Sequence, residues 1–167
     1  FGAFISLLDV FTDIQTIVRF FEEGRTVFAL TNACFIAVCL IIQLLVVFVQ
    51  NEKRGNKILL YEMLIVVAMI KPAIDAKRVA SGNAQAQGAF IDPNVEAAVV
   101  KFVELFAESI PSSVLQTYAL FLDKNIKFSS LFSIGVSTFT IAYSSSIISS
   151  DFDTDPDSRS HTPSFYG

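Results

Sequence analysis

Two acid pairs stand inside long apolar stretches, and their spacing could do chemistry. Leu7-Leu8-Asp9-Val10-Phe11-Thr12-Asp13 and Phe102-Val103-Glu104-Leu105-Phe106-Ala107-Glu108 share one pattern: two apolar residues, an acid, an apolar residue, Phe, a small residue, an acid. Acids four residues apart lie on one face of a helix. A carboxylate at membrane depth costs roughly 2.5–3.5 kcal/mol on insertion scales, so such residues mark substrate paths or proton relays by default. Four of them must be paired with cations, protonated or bathed by water. The cations available are Arg19 and Lys101, joined by Lys71 and Arg78 if the third helix is embedded. Gln116 and Ser112 extend the face of Glu104 and Glu108. The plainer reading of the same residues is a set of interhelical ion pairs that only hold a bundle together.

Other chemistry is absent from the sequence. His161 is the single histidine and lies in a polar tail, and no nucleophile elbow, P-loop or zinc spacing occurs. Asp151, Asp153 and Asp155 space like the first ligands of a calcium loop, but Pro156 stands where that loop needs Gly and Thr162 where it needs a bidentate Glu. Cys34 and Cys39 point to different sides of one helix and read as buried small residues. The expectation is a protein that is not an enzyme, with no metal, no cofactor and no nucleic-acid partner.

The elements that carry the acids are membrane-grade. Of 167 residues 53% are hydrophobic and only 17% charged, with 17 Phe and no Trp; soluble domains carry about 25% charged residues. The net charge of −4 says little, because most acids lie in loops and tail. The pattern predicts an all-α transmembrane bundle over residues 1–150, with spans near 1–21, 26–50, 58–79, 95–121 and 128–150, and a polar acidic tail over 151–167. Gly24 is placed as a helix stop. Thr26 to Gln50 carries no charge and reaches about 37 Å. The third segment is short and broken or kinked at Pro72, and reads equally as a re-entrant half-helix or a bent span. Asp92-Pro93 is a helix start. Pro111 stands mid-helix, where it frees the carbonyl of Ala107 and predicts a kink repaired by Ser112 or Ser113. Ser130, Ser133, Ser137, Thr140 and Ser144 form a small-residue stripe suited to close helix packing. An acid-bearing helix followed by a charge-free one occurs twice, which reads as two related helix-pair repeats. The chain begins and ends abruptly, so further helices or domains of a longer protein are expected partners, beside membrane lipids.

Asp9-x-x-Thr12-Asp13, with Glu104 and Glu108 followed by Pro111 and Leu115-Gln116, resembles the XK-related membrane proteins, a family that includes phospholipid scramblases. These motifs cover less than half the chain. Lys71-Pro72-x-x-Asp75-Ala76-x-Arg78-Val79, Glu108-Ser109-Ile110-Pro111, Asp153-Thr154-Asp155-Pro156 and Phe165-Tyr166-Gly167 are similar to multi-pass proteins of microbial algae and water moulds, a likeness that carries no activity. The chain departs from full scramblases in its shorter length and in lacking a caspase-site-like tail. The resemblance implies passive lipid movement between leaflets, with the charged stripe guiding the head group and the tails left in lipid. The alternatives are a non-transporting membrane anchor or interaction module of a larger protein, and an ion or proton transporter. The multi-pass expectation leaves open the plasma or an internal membrane.

Overall fold

The structure is a computed structural model, and it describes residues 2–80, 93–122 and 128–154. Every regular element among them is helical. Helix α1 is Gly2–Glu22 and α2 is Thr26–Asn51. A turn at Glu52–Arg54 leads to α3, Asn56–Val67, and then α4, Lys71–Ala80. Helix α5, Pro93–Glu104, runs through a π-helical turn at Leu105–Ser109 into α6, Ile110–Leu122. Helix α7 is Phe128–Thr154, so Asp151 to Thr154 continue that helix rather than open the tail. Asp155 onward, with His161, and Asp92 lie outside the described residues.

The helix stops follow local rules. Gly24 (φ +71°) ends α1: its N–H bonds Phe21 O, and Arg25 N–H bonds Phe20 O. Paired bonds of this kind satisfy the carbonyls that a helix end orphans. The same geometry ends α3 at Met69 (φ +59°), with Met69 N–H on Val66 O and Ile70 N–H on Ile65 O. A side chain in that left-handed region is costly, by about 1–2 kcal/mol. The third segment is therefore two helices, and the break at Ala68–Ile70 falls ahead of Pro72. Proline sits in the first turn of α4, where its missing N–H costs nothing.

The chain path follows from contacts at the two ends of the bundle. Gln50, at the end of α2, donates from Nε2 to Glu96 in the first turns of α5 (3.1 Å). At the opposite end Arg25, between α1 and α2, donates to Ala119 O near the end of α6 (3.1 Å). Thus α2 ends and α5 begins at one end, and α3–α4 is a hairpin that returns to where it started. Its tip, Met69 and Pro72, reaches mid-bundle beside Val10, Gln43, Glu104 and Glu108. At 12 residues, α3 rises only about 18 Å.

Burial runs opposite to that of a water-soluble domain. Phe11, Val18, Leu45, Val114 and Phe139 are exposed, while Asp9, Asp13, Thr16, Gln43 and Gln116 are buried. Apolar packing is local: Phe20, Ala29 and Ala119, flanked by Ile17 and Phe28, fill the end near Arg25. Two helices among the described residues, α2 and α7, are long and apolar enough to cross a membrane.

A buried polar stripe as the candidate functional site

The shared face of α1 is the centre of the site. Ser6, Asp9, Thr12, Asp13 and Thr16 are each no more than 2% exposed. Their 3–4 residue spacing makes one continuous line on a 3.6-residue helix. Thr12 turns its hydroxyl back onto the carbonyl of Asp9 (2.9 Å).

Across from α1 lies the face of α5, the π turn and α6. Ser109 Oγ donates to Asp9 Oδ2 at 3.1 Å. Ser112 Oγ and Gln116 Nε2 donate to Asp13 Oδ1 at 3.0 and 3.1 Å. Lys101 bonds Ser6 Oγ and pairs with Glu104 Oε2 at 2.8 Å. Helix α7 closes the third side: Ser133 Oγ donates to Gln116 Oε1 (2.8 Å) and shares a proton-bridged contact with Thr16 (2.9 Å). Ser130, Ser133, Ser137, Thr140 and Ser144 are all buried, as the small-residue spacing predicts. Helix α2 contributes Cys39 and Gln43. The Cys39 thiol lies in hydrogen-bonding contact with Glu108, and Gln43 Nε2 donates to Cys39 Sγ at 3.2 Å.

The π turn explains how α5–α6 serves this face. Ile110 N–H bonds Leu105 O, five residues back. A turn with one extra residue shifts the side chains after it around the helix axis, and such bulges frequently lie at functional sites. Here Glu108 and Ser109 are both buried, Glu108 toward α2 and Ser109 toward α1. The device at Pro111 is thus a widened turn, and Ser112 gives its hydroxyl to Asp13 rather than to the backbone.

Lys71 belongs to a different cluster. Its ammonium is fully buried and reaches Glu96 (2.6 Å), Asp75 (2.8 Å) and Glu62 (3.5 Å). Arg78 forks onto Glu62 at 2.6 and 3.1 Å and touches Asp75 at 3.3 Å. These contacts bolt the two arms of the hairpin to each other and to α5. Arg19 is part-buried, past the hydroxyl end of the stripe, with its guanidinium over Phe20 at 5.4 Å. The structure therefore brings together Asp9, Asp13, Lys101, Glu104, Glu108 and Gln116, and sets Lys71 and Arg19 apart.

Sequence reasoning missed Ser109, Cys39, Glu62 and Glu96 as members of these networks. Lys71, Asp75 and Arg78 announce a shared face by spacing. Glu62 and Glu96 carry no such signal, because their partners sit on other helices. Hydroxyl, amide and ammonium donors around carboxylates can hold and pass a cationic or zwitterionic group. Among the described residues no group of three His, Cys, Asp or Glu could hold a metal ion.

The model of the family described as XK-related protein matches residues 1–149. Nothing among the curated proteins or the solved structures matches.

Proposed function

The chain belongs to the XK-related family of membrane proteins, and from that premise we propose that it forms part of a passive path for phospholipid head groups between leaflets. The observation that carries this reading is the stripe itself. A continuous line of carboxylates, hydroxyls and one ammonium runs through a bundle whose outside is apolar. Hydrocarbon is about 30 Å thick, and a head group crossing it needs polar partners at every level. Acids and the ammonium of Lys101 offer partners to an amine and a phosphate in turn. No energy source is required for movement down a gradient.

In this reading α1, α2, α5–α6 and α7 span the bilayer several times, and the α3–α4 hairpin enters and leaves on one side. Lys53, Arg54, Lys57, Lys77 and Arg78 then belong to that side, which the positive-inside rule assigns to the cytoplasm.

One observation favours the second reading, a membrane anchor or assembly module in a longer protein. The stripe is sealed between helices, with Asp13 and Glu108 buried and partnered. Lipid movement then requires α1 to part from α5–α6 or α7. The test is fluorescent-lipid exchange in liposomes holding the full-length protein, compared with the Asp9→Asn/Asp13→Asn variant. Lipid transport predicts roughly tenfold slower exchange with the melting temperature nearly kept. Unchanged exchange with lowered stability supports the anchor, and no exchange from the unaltered protein ends the transport reading.

A further inference from the structure

Between α2, the hairpin tip and the π turn lies a small, partly open cavity of about 10 Å³. That is about the room one water-sized particle needs. Its polar wall is Gln43, Glu104 and Glu108, and Met69 and Pro72 of the hairpin tip cap it. Glu104 is only 4% exposed; its Oε2 takes Lys101, but its Oε1 has no hydrogen-bond partner. An orphaned buried carboxylate oxygen is expensive, and this one belongs to a side chain lining the cavity. Gln43 gives its amide nitrogen to Cys39, and its side chain also lines the cavity.

We propose that this cavity binds one water-sized monovalent cation through Glu104, Glu108 and Gln43. Oxygen donors select hard cations over transition metals. A calcium ion takes 6–8 oxygens, more than three side chains and one particle's room provide. Two acids, Glu104 and Glu108, line the cavity, and room for one small particle limits the occupant to a compact monovalent cation. A bare sodium ion fits the space, and so does the terminal ammonium of an aminophospholipid head group. A quaternary ammonium does not. Both admissible occupants share the same chemistry, a compact monocation stripped of its water. The cap matters too, because Met69 holds the left-handed conformation at the point where the hairpin borders the cavity.

The experiment uses the full chain in detergent and in lipid nanodiscs. Radioactive sodium binding is measured directly, and melting is compared in sodium chloride and choline chloride at equal ionic strength. Melting is also compared in nanodiscs with and without phosphatidylethanolamine in a phosphatidylcholine background. The expected result is saturable sodium binding at one per chain, displaced by lithium and not by choline. Melting then rises by about 3–6 °C at ten times the dissociation constant. Glu108→Gln weakens binding at least tenfold; should it fail to fold, Gln43→Leu serves instead. A rise with phosphatidylethanolamine alone, cancelled by the same variants, assigns the site to the lipid ammonium. Equal melting in every arm with no sodium bound overturns the proposal, and does so without bearing on whether lipids cross.

Discussion

Two buried charge clusters share this bundle and solve the same physical problem differently. In the hairpin cluster, Glu62, Asp75 and Glu96 face Lys71 and Arg78 at 2.6–3.5 Å. In the stripe, Asp9 and Asp13 are held by serines and an amide, and Glu108 by a thiol. Only Glu104 there has an ion pair among the contacts described. A compensated cluster locks elements in place, because separating the partners strands a charge. A cluster of acids on neutral donors leaves its charge available to a visitor. The hairpin thus reads as the scaffold and the stripe as the working surface.

The comparison breaks most sharply at Lys71. Lys71→Met leaves Glu96 to the neutral amide of Gln50 and leaves Glu62 and Asp75 to Arg78, and is expected to cost about 3–5 kcal/mol. Gel filtration and thermal melting in detergent should show loss of a monodisperse folded protein. Normal melting of this variant would mean that the hairpin cluster clamps nothing.

Arg78→Lys sharpens the same point at smaller scale. Lysine cannot reproduce the two-nitrogen fork onto Glu62. The Arg78 side chain is 31% exposed, so solvent absorbs part of the change and the expected loss is about 1 kcal/mol. A loss as large as that of Lys71→Met would place the lock at Arg78 instead.

Gly24→Ala calibrates both against pure backbone strain. Nothing lies within 4 Å of an added Cβ, so the cost is the left-handed conformation alone, about 1 kcal/mol. That converts to roughly 2–4 °C of melting temperature, with lipid exchange unaltered. Slower exchange in this variant would show that general weakening mimics an effect at the stripe.

Asp13→Asn should move stability least, by under about 1 kcal/mol, since the amide oxygen still accepts from Ser112 and Gln116. On the proposed lipid path its effect belongs to lipid exchange, which should slow several-fold. A melting loss matching that of Lys71→Met would erase the distinction between the two clusters.

The sequence by itself determined the helical class, the family resemblance and the polar face of each helix. Each depends on residues close in the chain: Ser6, Asp9, Asp13 and Thr16 share a face by helix geometry alone, and Gly24 ends α1 by local backbone preference. Tertiary structure decided what contacts what. It sent Lys71 and Arg78 to Glu62 and Glu96 rather than to the stripe, and turned Glu108 toward Cys39 through a π turn that no residue pattern announces. It also folded the third segment back on itself, with Met69 rather than Pro72 at the break. The reason is physical: spacing fixes the direction of a side chain around its own helix, but ion pairs, cavities and helix returns depend on which faces pack together, and packing is settled only when all the helices meet.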